Sequence, residues 1–286
     1  MNLKNNIENG SMQSDVYLTN QQREFYKYNG YLLIRNLVDT GLLDDCMQRF
    51  RDICNDKVDS RYMLKMENIF LKTKHRRGEF LINKIQDFNY DDVLFQYASY
   101  KAILNIVEGI LGATNVTCFH SMVVSKPPNT EVDSSNYSDI FVCPIRPINS
   151  TVGVWTAMEK SNQKNGCLYV VPGSHKTPNS FNSVEGFENL YTLKLALEKG
   201  DTVFFHPSLV HGSRPNLTDG FCKSISAHYA DSNCHFVNVG DDIENEIRRI
   251  LKHNGFPSVS FKVFCQFKSR IVHGEPGNFQ RLDGNL

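Results

Sequence analysis

The sequence has one tryptophan, no Cys-x-x-Cys pair, no excess of either charge and no apolar run long enough to span a membrane. Each absence narrows what the chain can be. Lys+Arg and Asp+Glu both number 31, so no overall field draws it to nucleic acid or to an anionic membrane surface. The local basic cluster Lys72, Lys74, Arg76 and Arg77 reads first as a solvated loop. Eight cysteines, at 46, 54, 118, 143, 167, 222, 234 and 265, have neither zinc-ligand spacing nor the layout of a disulfide framework. Reduced thiols in an intracellular compartment are the expectation. Met1 to Asp15 is polar and lacks the apolar stretch of a secretory leader, and the terminal Asp-Gly-Asn-Leu is not a Ser-Lys-Leu peroxisomal address.

What is present is the composition of a folded protein: 41% hydrophobic and 22% charged over 286 residues. Residues 1–18 read as a disordered lead and 19–286 as a single domain. Thr19 and Gln22 have capping-box spacing ahead of a helix that Gly30 stops. Tyr31 to Arg35 reads as a strand. Asp39 and Thr40 can cap a second helix, whose Leu42, Leu43, Cys46, Met47, Phe50, Ile53 and Cys54 form one buried face. Residues 56–80 look charged and irregular. Lys101 to Leu111 is a third helix, with Ala102, Ile103, Ile106, Val107 and Ile110 as its stripe.

From Val116 the period falls from 3.6 to 2. Val116, Cys118, His120, Met122 and Val124 fall on one strand face, with Thr117, Phe119, Ser121 and Val123 on the other. Further short strands are expected at Ile140–Cys143, Thr151–Met158, Cys167–Val171, Tyr191–Leu195, Thr202–His206, Lys223–Ala230 and Ser260–Phe267. Residues 240–256 look helical. About eight short strands after a helical lead predict a mainly β fold with packing helices, a double-stranded β-helix (jelly roll) of cupin-like form.

The chain is organised around Gly200-Asp201-Thr202-Val203-Phe204-Phe205-His206-Pro207-Ser208-Leu209-Val210-His211-Gly212-Ser213. His211 at a strand end, with Asp139 upstream, suits part of a 2-His-1-carboxylate face for ferrous iron, which leaves coordination positions open. On spacing alone, a strand-end histidine and a turn aspartate account for both. His120, His206 and His228 read as interior or rim histidines, His120 being the one placed to face the same cavity as Met122. Trp155 on composition alone is a core residue.

Five further phrases occur in order: Lys126-Pro127-Pro128, Trp155-Thr156-Ala157-Met158-Glu159, Asn165-Gly166-Cys167-Leu168, Val171-Pro172-Gly173-Ser174-His175-Lys176, and Gly200 to Pro207. This series resembles the phytanoyl-CoA dioxygenase family of Fe(II)/2-oxoglutarate oxygenases, from about Thr19 to Lys268. The resemblance implies iron on His211 and Asp139, with 2-oxoglutarate contacts at Lys84, Met122, Trp155 and Ser213. At two positions the family's residue is replaced. Tyr137 stands where the first iron histidine is expected, with His120 as a substitute candidate for that ligand. Cys222, in Gly220-Phe221-Cys222-Lys223, stands where an arginine grips the co-substrate's far carboxylate. Loss of a charge-assisted contact of that kind costs about 1.5–3 kcal/mol. Alternation turns the neighbouring Lys223 to the other strand face.

The implied reaction is 2-hydroxylation of a branched or fatty acyl-CoA in fatty acid α-oxidation. Its requirements are Fe(II), 2-oxoglutarate, O₂ and ascorbate, and its implied compartment is the peroxisome. Two alternatives stand beside it: a catalytically degenerate member that binds without turnover, and a cupin-like metalloprotein of other chemistry.

Overall fold

A computed structural model describes residues 17–67, 76–130, 134–137, 145–177, 191–237, 240–253, 255 and 259–280, without the side chains of 134–137, 242, 243, 246, 250, 253 and 280. Residues 1–16 of the expected lead, Lys72 and Lys74 of the basic cluster, Asp139 and the expected strand Ile140–Cys143 lie outside the described residues.

The helices are α1 (Asn20–Asn29), α2 (Thr40–Cys54), α3 (Phe95–Ala98), α4 (Lys101–Leu111), α5 (Asp241–His253) and α6 (Phe261–Lys268). The strands are β1 (Tyr31–Ile34), β2 (Leu64–Glu67), β3 (Ile82–Gln86), β4 (Val116–Lys126), β5 (Ser134–Tyr137), β6 (Ile145–Arg146), β7 (Thr151–Ala157), β8 (Leu168–Val170), β9 (Leu193–Lys194), β10 (Thr202–Phe205), β11 (His211–Ser213), β12 (Cys222–Asp231), β13 (His235–Phe236) and β14 (Arg270–His273).

Local chemistry sets the first helices. Thr19 and Gln22 close the capping box in both directions, at 3.2 Å and 2.9 Å, and Gly30 ends α1 at φ +78°. Asp39 accepts from the N–H groups of Gly41 and Leu42 to start α2.

Apart from the separate pair β6-β13, the antiparallel strands form two facing sheets, the double-stranded β-helix expected from the strand pattern. The larger runs β1-β10-β7-β12-β4-β3-β2, with β14 beside the start of β4. The smaller runs β5-β11-β8-β9. On the outer face of the large sheet, Val123, Val152, Val154, Phe204, Ile225 and Ala227 bury themselves against the apolar faces of α2 and α4. Each of the valine, isoleucine and phenylalanine side chains removed from water stabilises the fold by about 1.5–3 kcal/mol. A second core between the sheets joins Ala157, Val203 and Phe205 to Leu168, Val170 and Leu209.

Asp201 explains the acidic turn that opens the central stretch. Its buried carboxylate accepts from the N–H groups of Asn36 (2.9 Å) and Glu198 (2.8 Å) and from Arg35 Nη1 (2.5 Å). One side chain thereby ties the end of β1 to the start of β10. Gly200 sits at φ +90°, and a Cβ there would fall 2.6 Å from the Val38 carbonyl oxygen.

Three sequence expectations change. Strict alternation along β4 fails at Phe119. Register runs His228↔His120 and then Tyr229↔Cys118, so Phe119 is an extra residue in a β-bulge. Val116 and Cys118 therefore join the helix-side core, while Met122 and Val124 face the space between the sheets. Ser260–Phe267 is not a strand. Ser260 Oγ accepts from the Val263 N–H at 3.3 Å and caps α6, which buries Phe261, Phe264 and Cys265 at helical spacing. The stretch 56–80 also holds a strand, β2, paired to β3.

Candidate active site

The two sheets enclose a cavity of about 90 Å³. β12 contributes Cys222, Ser224, Ser226 and His228; β4 contributes Met122, Val124 and Lys126. Lys84 comes from β3, Trp155 from β7, and His211 and Ser213 from β11 on the facing sheet. The candidates Lys84, Met122, Trp155, His211 and Ser213, up to 129 residues apart in the chain, thus line one space. Among the described lining residues there are two lysines and no carboxylate.

His211 is buried, and its Nδ1 lies 2.9 Å from the Leu209 carbonyl oxygen. A carbonyl only accepts, so Nδ1 carries a proton, and the neutral tautomer consistent with that bond has its lone pair on Nε2. That is the tautomer a metal-binding histidine needs, with orientation set by the other ring nitrogen. Phe205 packs against the ring at 4.7 Å between centroids.

Beside it, Lys126 Nζ donates to Ser213 Oγ at 2.6 Å, to the Arg214 carbonyl at 2.5 Å and to the Gly166 carbonyl at 3.1 Å. Lys126 stands in the Lys-Pro-Pro phrase, but sequence reading gave it no role. Its signal was available: it follows Met122 and Val124 on the same strand face. Asn216, fully buried, donates to the Lys126, Pro127 and Gly220 carbonyls and fixes where β4 leaves the sheet. Cys222 is the direct cross-strand partner of Lys126. Burial raises its thiol, against the hydrogen bond with Ser161 and the charge of Lys126, which lower it, so it is neutral at pH 7. Lys223 turns away, as alternation requires, to Glu79 at 3.3 Å and Glu159 at 3.8 Å.

His120 meets a different environment. Its Nδ1 lies 2.8 Å from Asp87 Oδ1, and Lys268 Nζ lies 3.0 Å from the same oxygen. Burial, reinforced by Lys268, pushes the His120 ring down to about 4. Burial alone would raise the Asp87 carboxyl, but Lys268 and His120 hold it below the usual range. The His120 ring lies 5.5 Å from that of His228, which lines the cavity. The backbone of Tyr137 pairs with His211 at the end of β5, two residues before Asp139. Among the described residues, no group of three or more His, Cys, Asp or Glu side chains is placed to hold a metal.

The family model for phytanoyl-CoA dioxygenase (PhyH) matches residues 26–224. The chain belongs to the phytanoyl-CoA dioxygenase family. It is 37% identical over 282 residues to the peroxisomal phytanoyl-CoA dioxygenase of Bos taurus, covering 90% of this chain and 83% of the bovine one. A probable phytanoyl-CoA dioxygenase of Caenorhabditis elegans is 42% identical over 296 residues, covering 91% and 95%. Solved structures share the family's fold at lower identity. The non-heme alpha ketoglutarate dependent carbocyclase SnoK from nogalamycin biosynthesis superposes with a TM-score of 0.66 at 16% identity, covering 84% of this chain and 94% of that one. EctD from S. alaskensis, solved with 2-oxoglutarate and 5-hydroxyectoine, gives 0.66 at 15% identity, covering 82% and 84%.

The described lining holds part of a site for each of the two groups that family membership implies. Burial and the fixed tautomer suit His211 to ferrous iron, and two lysines with a serine hydroxyl suit an anionic co-substrate.

Proposed function

We propose that this protein is an Fe(II)/2-oxoglutarate-dependent oxygenase that hydroxylates carbon 2 of a branched or fatty acyl-CoA. The observation that carries the reading is the meeting, in one cavity, of a buried histidine whose Nδ1 is engaged by a carbonyl and two lysines, with no carboxylate among the described lining residues. In this reading His211 and Asp139 hold the iron. Lys84, Met122, Trp155 and Ser213 surround 2-oxoglutarate. Bound iron would activate O₂, one oxygen atom leaving in succinate as 2-oxoglutarate loses CO₂ and the other converting a C–H bond to C–OH.

The chain's own residues perform the rest. The Leu209 carbonyl keeps the His211 ring in one orientation. Phe205, Leu168 and Trp155 present apolar surface to the reacting end and exclude water from it. Ascorbate keeps the iron ferrous between turnovers. Residence in the peroxisome belongs to the same proposal and rests on the name of the bovine relative.

A member that binds without turnover is the competing reading. The neutral Cys222 thiol and Tyr137 favour it. Incubation with Fe(II), ascorbate, 2-oxoglutarate, labelled O₂ and a panel of branched acyl-CoA thioesters separates the two. The oxygenase reading expects a product heavier by one labelled oxygen, carried on carbon 2. Binding of 2-oxoglutarate with no oxygenated product from any thioester overturns it in favour of the binding protein.

A further inference from the structure

We infer that Lys126, reaching across from β4, is the cation that holds the far carboxylate of a dicarboxylate co-substrate in the cavity. This rests on the co-substrate reading above and assigns a residue to it.

The first ground is position. In an antiparallel pair, directly opposed residues share a sheet face, and Lys126 is directly opposed to Cys222. Both line the cavity. The thiol is neutral, so at this end of the space the positive charge belongs to Lys126 and not to β12.

The second ground is length. His211 and Ser213 are two residues apart on β11, and a strand advances about 6.4–6.8 Å over two residues. A five-carbon 2-oxo diacid has its two ends about that far apart. With its oxo-acid end beside His211, its far carboxylate reaches the Ser213 hydroxyl and, 2.6 Å from it, Lys126 Nζ.

The third ground is hydrogen-bond chemistry. The three acceptors named for Lys126 Nζ are neutral oxygens: Ser213 Oγ and the Gly166 and Arg214 carbonyls. A carboxylate oxygen can take the place of Ser213 Oγ as acceptor. The hydroxyl then turns from acceptor to donor and serves the same carboxylate. The two carbonyls keep the ammonium aimed at the cavity. Gly166 permits this approach, since a Cβ there would fall 3.0 Å from Nζ.

The experiment is ligand titration followed by the fluorescence of Trp155, the single tryptophan and a lining residue. Mn(II) replaces iron to prevent turnover. The probes are 2-oxoglutarate and 2-oxobutanoate, which lacks the far carboxylate. Lys126→Gln is expected to weaken 2-oxoglutarate by about tenfold or more and to leave 2-oxobutanoate within about twofold. Lys126→Arg is expected to retain most of the affinity. Cys222→Arg, which leaves Lys126 in place, is expected to strengthen 2-oxoglutarate by less than about threefold, and to restore binding when combined with Lys126→Gln.

The inference is overturned if Lys126→Gln leaves 2-oxoglutarate binding unchanged while Lys84→Gln weakens it. It is also overturned if Cys222→Arg alone strengthens binding by an order of magnitude, since the carboxylate then lacked a cation. Should Lys126→Gln fail to fold, that gain or its absence in Cys222→Arg decides alone. Failure of the natural chain to bind either oxo acid overturns the co-substrate reading itself, and this inference with it.

Discussion

His211 Nδ1 donates to the carbonyl of Leu209, two residues earlier, at 2.9 Å. The bond is local to the turn that precedes β11, so the ring is oriented before any ligand arrives. Under the proposed function, metal affinity depends on Nε2. His211→Ala is expected to weaken Fe(II) binding in the presence of 2-oxoglutarate by at least tenfold, with little change in the urea midpoint. Anaerobic equilibrium dialysis measures the first and equilibrium unfolding the second. Equal iron retention by the variant counts against His211 as a ligand.

His206 gives a pH dependence with a definite sign. Its Nδ1 accepts from the Ser208 N–H at 3.1 Å, and its Nε2 donates to Asn149 Oδ1 at 3.0 Å. Both nitrogens are thus occupied in the neutral state, and a second proton on Nδ1 would face a donor. Burial, with His175 nearby, pushes the ring down to about 4. The folded pKa lies below the unfolded one, so the unfolded state binds more protons between about pH 6.5 and 4. Stability is therefore complete above about pH 6.5 and falls as the pH drops through that window. His206→Gln is expected to flatten the decline in unfolding free energy between pH 7 and 5. An unchanged slope refutes the assignment.

Asp201 supports the site from a distance. Truncation to alanine removes the acceptor for the Asn36 and Glu198 N–H groups and for Arg35. The expected loss is about 2–4 kcal/mol, read from urea unfolding. Asp201→Asn keeps one acceptor oxygen and is expected to lose less. A loss below about 0.5 kcal/mol for the alanine variant contradicts the role given to this turn.

Gly166 couples backbone shape to the cavity. It sits at φ +84°, and a Cβ would meet the Arg214 carbonyl oxygen at 2.2 Å and Lys126 Nζ at 3.0 Å. Gly166→Ala is expected to destabilise the fold by about 1–3 kcal/mol and to weaken 2-oxoglutarate by several-fold. Calorimetric titration with the Mn(II)-loaded protein checks the second. Tighter binding in the variant would show that the close approach serves no ligand.

Much of this architecture is legible in the sequence because its causes are local. Thr19 with Gln22 states a helix start, Asp39 another, and the stripe from Ala102 to Val107 a buried face. Long-range causes are less visible. The bulge at Phe119 depends on pairing with β12 and cannot be read from alternation along β4. The stretch Ser260–Phe267 is rich in aromatic residues and reads as a strand, yet Phe261, Phe264 and Cys265 have helical spacing and Ser260 caps the helix. At the site, the motif series named His211, Lys84, Met122, Trp155 and Ser213 individually. What it did not give was Lys126, whose part follows from a cross-strand neighbour 96 residues away at Cys222.

The most direct test of the central claim is succinate formed from 2-oxoglutarate by the natural chain, with Fe(II), ascorbate and O₂, in the presence and absence of a branched acyl-CoA. His211→Ala serves as background. Succinate release is expected to depend on the thioester and to disappear in the variant. Succinate no higher than in His211→Ala, with every thioester, contradicts it.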